Sequence, residues 1–291
     1  YLAPACAGLS GILLLAGAPL HTVQLVAVAA AALLTAASVT VLARLVAPFT
    51  LLLAIAALCW LVGNAIWFAG GDLQLAVPWW LAFLVLTIAG ERLELNRFLP
   101  TPKEAQRFFF VVVGLVLAGA AATLRDEEAG LALFSAGLLA LAAWLWRYDI
   151  AQRNWQREGL TGYIAVCLLS GYAWLAVAGV LGLLGGFLPG HAWRDATMHA
   201  VTLGFVFAMI FGHAPIIFPA VLRVKIPWTP LAWLPLALLH ATLAWRVAGD
   251  LFGRFDLSRQ GGMANAIALL VFILVMVASV IRGQRKPSAE P

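Results

Sequence analysis

From Thr22 to Val46 the sequence reads TVQLVAVAAAALLTAASVTVLARLV, a stretch in which Arg44 is the one charged side chain. An α-helix of this length is about 37 Å long, which exceeds the roughly 30 Å hydrocarbon core of a bilayer. The stretch is too long for a strand, and an open sheet edge could not satisfy its backbone groups in lipid. It therefore predicts a transmembrane α-helix.

Similar apolar runs recur along the whole chain, and turn-forming pairs such as Pro189-Gly190 and Gly261-Gly262 mark their boundaries. The runs cover residues 2–17, 22–46, 48–70, 73–90, 108–124, 129–147, 160–188, 196–222, 228–249 and 261–282. The first run is the shortest. The pattern predicts an all-α polytopic bundle of about ten transmembrane helices, forming one domain over residues 1–282 and followed by a polar tail at 283–291.

Composition supports a lipid-embedded chain. Of the 291 residues, 64% are hydrophobic and 11% are charged, and the mean hydropathy is +0.98. A soluble domain carries about 25% charged residues, so the composition excludes a soluble domain with a single anchor. The basic residues form no stripe with interleaved aromatic side chains, so nucleic acid is not an expected partner. The expected partner is the lipid bilayer.

The distribution of positive charge predicts the orientation. Lys and Arg concentrate in alternate connections, as the positive-inside rule requires of cytoplasmic segments. This set holds 13 of the 18 basic residues: Arg44, Arg92, Arg97, Lys103, Arg107, Arg147, Arg153, Arg157, Arg223, Lys225, Arg282, Arg285 and Lys286. The C-terminus is therefore expected in the cytoplasm, and with ten helices Tyr1 lies on the same side.

Three histidines lie within predicted helices, at His199, His213 and His240. Burying an imidazole in lipid without a partner is unfavourable, so intramembrane histidines are functional candidates. Imidazole commonly ligates b-type haem and copper, and we expect these three residues to bind a metal. The alternative is that each ring bonds a backbone carbonyl, such as that of Phe211, which Pro215 leaves without its helical donor.

Helical geometry predicts how these histidines are arranged. In a uniform α-helix, the 14 residues between His199 and His213 bring the two side chains within about 40° of each other and separate them by roughly 21 Å. His240, on the next antiparallel helix, is expected between them in depth. Carboxylates sit at the ends of runs or in connections, which counts against proton-coupled transport.

Three segments carry a resemblance to a known family: GYAWL at 171–175, HAVTLG at 199–204 and MIFG at 209–212. They resemble the NnrS family, whose polytopic membrane proteins are described as containing haem and copper and are linked to nitric oxide metabolism. That family is grouped with the large subunit of haem-copper oxidases. The stretch from Gly204 to Pro219 also looks like the tenth helix of that subunit.

The resemblance implies specific roles. His199 would ligate a b-type haem, and Arg254 and Arg259 would pair with the haem propionates. Bidentate guanidinium–carboxylate pairing makes such a role physically reasonable. By the same resemblance the full-length protein would have twelve helices if two of them precede Tyr1.

The chain also departs from the family pattern. The oxidase copper site needs histidines in middle helices, and the runs 108–124, 129–147 and 160–188 contain none. Gly212-His213-Ala214-Pro215 stands where NnrS proteins have Gly-His-Thr-Gly. The sequence thus predicts a protein without an intact binuclear site, and no catalytic residue is indicated.

The expected function is that of a haem- or copper-binding protein of the bacterial inner membrane, in electron transfer or in the handling of nitric oxide or another small gas. Respiratory membrane subunits or a second copy of the chain are the expected protein partners. Two alternatives remain open. One is a transporter or channel for a small neutral solute or metal ion, and the other is a cofactor-free subunit of a respiratory complex.

Overall fold

The computed structural model describes residues 1–70, 72–96 and 102–285, and these residues form helices and connections without a strand. The described residues do not include Arg97 or the tail residues 286–291, of which Lys286 is the first. The part of the predicted tail that the structure does describe is helical, because the last helix continues to Arg285.

The chain divides into two compact units, residues 1–137 and 138–291. The first unit contains α1 (Leu2–Leu15), α2 (Leu20–Arg44), α3 (Pro48–Phe68), α4 (Leu73–Asn96), α5 (Lys103–Ala122) and the first part of α6 (Glu127–Tyr148). The second contains the end of α6, α7 (Ala151–Asn154), α8 (Gly159–Leu183), α9 (Arg194–His199), a π-helix (Ala200–Phe207), α10 (Ala208–Leu222), a short 3₁₀ turn (Pro230–Ala232), α11 (Trp233–Leu251) and α12 (Phe255–Arg285).

In the described part of the chain, nine segments are helical, long and apolar enough to cross a membrane. They coincide with nine of the ten predicted runs, and the all-α, multi-pass membrane architecture is confirmed. The first run forms α1, a helix of 14 residues. At about 21 Å it is shorter than the hydrocarbon core.

Small buried residues and a few polar bonds join the helices of the first unit. Ser10 donates to the carbonyl of Val23 over 3.0 Å, and Gln24 donates to the carbonyl of Trp67 over 2.8 Å. Ala30 on α2 is fully buried. In lipid, small residues let helices approach closely while interhelical hydrogen bonds fix their register.

The structure corrects one predicted turn. Gly261 and Gly262 lie inside α12, which begins six residues earlier than expected, at Phe255. A Cβ atom on Gly261 would lie 2.7 Å from the Cα atom of Arg246. These glycines therefore serve helix packing rather than chain reversal, since only a residue without a side chain permits that approach between α11 and α12.

The eighth predicted run is one continuous helical segment, but it is not uniformly α-helical. Between α9 and α10, residues Ala200–Phe207 form a π-helix of 8 residues. The i→i+5 bonding of a π-helix turns the chain by a smaller angle per residue than the α-helix does. The 40° register predicted for His199 and His213 assumed uniform α geometry, and it does not hold across this segment.

Candidate functional site

The second unit is organised around the close antiparallel packing of α8 against the π-helix and α10. Glycines make the contact possible: a Cβ on Gly212 would lie 3.0 Å from the Cβ of Cys167, and one on Gly204 would overlap the side chain of Trp174. Each contact marks a position along the helix axes, which is called a level below. Trp174 and Gly204 share one level, and Cys167 and Gly212 share another.

His240 lies at the level of Trp174. The indole N–H of Trp174 donates to Nδ1 of His240 over 3.0 Å. A neutral imidazole has one donor and one acceptor nitrogen, so this bond places the ring proton on Nε2. Among the described residues, the buried Nε2 atom has no hydrogen-bond partner. His240 therefore sits between His199 and His213 in depth, as the order along the helices predicts, and presents an unsatisfied N–H group.

His199 ends α9, immediately before the π-helix. Its Nδ1 lies 2.8 Å from the backbone oxygen of Asp195 and 3.3 Å from the Oδ1 atom of the same residue. Because both neighbours are acceptors, Nδ1 carries the proton and Nε2 carries the lone pair. The side chain is 28% exposed, so His199 is only partly enclosed by the surrounding helices.

Asp195 is itself fixed by Arg246 on α11. The guanidinium group binds the carboxylate with two parallel bonds, Nε to Oδ2 at 2.6 Å and Nη2 to Oδ1 at 2.7 Å. Asp250, at the end of α11, lies beside this pair and near Ser258. This network was not predicted from the sequence, although the spacing of Asp195 four residues before His199 was a visible signal for it.

His213 is buried on α10, with 7% of its surface exposed. Its Nδ1 lies 2.6 Å from the carbonyl oxygen of Met209. This bond fits the alternative hypothesis that each histidine ring bonds a backbone carbonyl, but the acceptor is Met209 rather than Phe211. His213 follows Gly212 and so lies at the level of Cys167, away from the level of Trp174 and His240.

The two candidate arginines lie on the surface. Arg254 occupies the short connection between α11 and α12, where Nη2 and Nε bind the carboxylate of Asp256 over 3.1 and 3.3 Å. This carboxylate raises the pKa of the Arg254 guanidinium. Arg259 is exposed on α12 rather than in the connection, because the helix starts at Phe255.

The histidines thus occupy three levels rather than one cluster. Throughout residues 1–70, 72–96 and 102–285, no group of three or more His, Cys, Asp or Glu side chains is arranged to hold a metal ion. A site built from protein ligands alone needs about three or four of them. A porphyrin supplies four nitrogen ligands itself, and its iron needs one or two from the protein.

Comparison with curated proteins and with solved structures finds no match. A family model described as "Domain of unknown function (DUF8744)" matches residues 1–281, which is nearly the whole chain. The chain is a member of the DUF8744 family.

Proposed function

We propose that this chain is a haem-binding protein of the bacterial inner membrane, in which His199 ligates the iron of a b-type haem. The role would be electron transfer or the handling of a small gas such as nitric oxide. The observation that carries the proposal is the hydrogen-bonded series from Arg246 through Asp195 to Nδ1 of His199.

This series is the arrangement that a ligating imidazole needs. Metal-bound histidines usually donate their second ring N–H to a carbonyl or a carboxylate, which fixes the tautomer and makes the other nitrogen a stronger ligand. His199 has both kinds of acceptor on Asp195, and Arg246 holds that carboxylate in place. With the proton on Nδ1, Nε2 is the ring nitrogen whose lone pair is left to bind a metal.

The donor set favours haem over a copper ion. A copper ion bound by the protein alone needs several imidazole or thiolate ligands around it, and the described residues do not bring three such groups together. Haem requires one axial imidazole at minimum. Copper is therefore the second candidate, to be tested alongside haem.

The other candidate residues take different roles. His240 carries its ring proton on Nε2 because Trp174 donates to Nδ1, and a ligand role for Nε2 would require that bond to break. His213 has its Nδ1 on a carbonyl and lies at a deeper level, so it would serve a separate metal centre and not the second axial position of the same haem. Arg254 could exchange Asp256 for a propionate, because the two carboxylates bind guanidinium in the same way. Haem iron, when bound, supplies reversible one-electron chemistry and a position for a diatomic gas.

The experiment is the visible absorption spectrum of the full chain, purified from haem-supplied cells. We expect a Soret band that shifts on dithionite reduction and is lost in His199→Ala. His191→Ala is the matched control, because His191 lies in the connection before α9 and accepts a hydrogen bond from the N–H of Trp193. That variant should keep the spectrum.

The same preparation tests the rival functions. Colourless protein without iron or copper by elemental analysis would contradict the proposal and favour a transporter or a cofactor-free subunit. If the protein contains no iron but binds stoichiometric copper, and His199→Ala loses that copper, the proposed cofactor would be copper instead of haem. A haem spectrum unaffected by His199→Ala would contradict the assignment of the ligand.

A further inference from the structure

The first unit has a groove of about 620 Å³ between the end of α2, the start of α3 and one residue of α5. Its lining residues are all apolar: Val39, Leu42, Ala43, Val46, Ala47, Pro48, Leu51 and Phe110. The volume is in the range of small-molecule binding sites, roughly 300–1,000 Å³. The groove lies at the end of α2 that the charge distribution predicts to be cytoplasmic.

Positive charge adjoins the groove on α5. Phe110 lines it, and Lys103 and Arg107 precede Phe110 by seven and three residues on the same helix. At about 100° per residue, their directions lie about 20° and 60° from that of Phe110. Both side chains are exposed, whereas Glu104 in the same turn lies about 120° away around the helix.

The order of these residues along α5 matches the structure of a phospholipid. Phe110 lies deeper in the membrane segment, and the two cations lie toward the first turn of the helix, at the interface. The N-terminal end of a helix also favours a nearby anion, through its unbonded N–H groups and the helix dipole. An acyl chain in the groove would therefore bring its headgroup to Arg107 and Lys103.

We propose that this groove binds a phospholipid with an anionic headgroup from the cytoplasmic leaflet, with an acyl chain against Phe110 and Ala43 and the phosphate at Lys103 and Arg107. The charge of the two side chains selects the headgroup, because basic residues at the cytoplasmic interface attract anionic lipids. The apolar lining favours a lipid over a soluble phosphate, since a phosphate ion has no acyl chain to fill the groove.

The test is native mass spectrometry of the full chain in detergent, titrated with phosphatidylglycerol or with phosphatidylcholine of the same acyl chains. We expect phosphatidylglycerol to bind roughly tenfold more tightly, as two interfacial cations permit. Lys103→Gln/Arg107→Gln should abolish this preference without lowering phosphatidylcholine binding. Ala43→Trp, which fills the groove, should weaken binding of both lipids.

The matched control is Arg153→Gln/Arg157→Gln, which removes two exposed cations with the same four-residue spacing and the same predicted side of the membrane. It should keep the lipid preference. The proposal is overturned if the unmodified chain binds the two lipids equally, or if the control pair loses the preference to the same extent. It is also overturned if Ala43→Trp binds phosphatidylglycerol normally while remaining folded by circular dichroism, because the attraction would then be one of surface charge alone.

Discussion

Arg246 and Asp195 are 51 residues apart in sequence, and their side chains meet through two parallel hydrogen bonds of 2.6 and 2.7 Å. The pair links α9 to α11 at the level where His199 contacts the same carboxylate. Arg246 is 19% exposed and Asp195 is 41% exposed. The ion pair is thus partly shielded from solvent. Its contribution to the free energy of unfolding lies between that of a surface ion pair and that of a buried one.

Replacing Asp195 by Asn should destabilise the second unit by about 1–2 kcal/mol, because Arg246 loses one of its two acceptor oxygens and the negative charge, while solvent already screens part of the interaction. The measurement is the free energy of unfolding in detergent. Asp256→Asn is the control, since it breaks an ion pair with both partners more than half exposed, and it should cause no measurable change. Equal effects of the two variants would show that the Arg246–Asp195 pair has no special structural role.

The same substitution tests the proposed haem site. A carboxylate near Nδ1 increases the electron donation of a ligating imidazole and stabilises the oxidised metal. In Asp195→Asn the backbone acceptor remains but the negative charge is lost, so the midpoint potential of the haem should rise by roughly tens of millivolts. A redox titration measures this, and an unchanged or lower potential would contradict His199 as the ligand.

Trp174→Phe should release His240 while keeping an aromatic ring against Gly204. The lost indole donor costs about 1 kcal/mol of stability. It also removes the constraint that keeps the proton of His240 on Nε2. Nitrogen NMR of selectively labelled histidine should show the Nε2–H tautomer for His240 in the unmodified chain and a tautomer mixture in the variant. An Nδ1–H tautomer in the unmodified chain would contradict the bond from Trp174.

Gly204→Ala should destabilise the chain by about 1–3 kcal/mol, because the new Cβ would overlap the side chain of Trp174 and force α8 away from the π-helix. Gly114→Ala is the matched helical control. A Cβ there meets no atom within 4 Å, and alanine has the better helix propensity, so stability should stay the same or rise slightly. Measured under the same conditions, the unfolding midpoint should therefore fall in Gly204→Ala and should not fall in Gly114→Ala.

Particular residues show how far sequence reasoning reached. The apolar runs predicted about ten membrane-crossing helices, and nine of the predicted runs form helices long enough to cross in the described part of the chain. Hydropathy succeeds here because the tendency of each segment to enter lipid is a sum over its own residues. The prediction of a turn at Gly261-Gly262 was wrong, because these glycines lie inside α12 and permit its close contact with Arg246 on α11. Trp174 stood within a recognised motif, but nothing in that motif indicated that its indole bonds His240.

Hydropathy and helix length are properties of contiguous residues, so the amino-acid sequence alone predicts a helical chain that crosses the membrane many times. Only the tertiary contacts show where the proton of His240 lies and that Arg246 holds the carboxylate beside His199. Each depends on a contact between distant parts of the chain. Trp174 and His240, for example, are 66 residues apart in sequence. Local composition carries no information about which of those residues will meet.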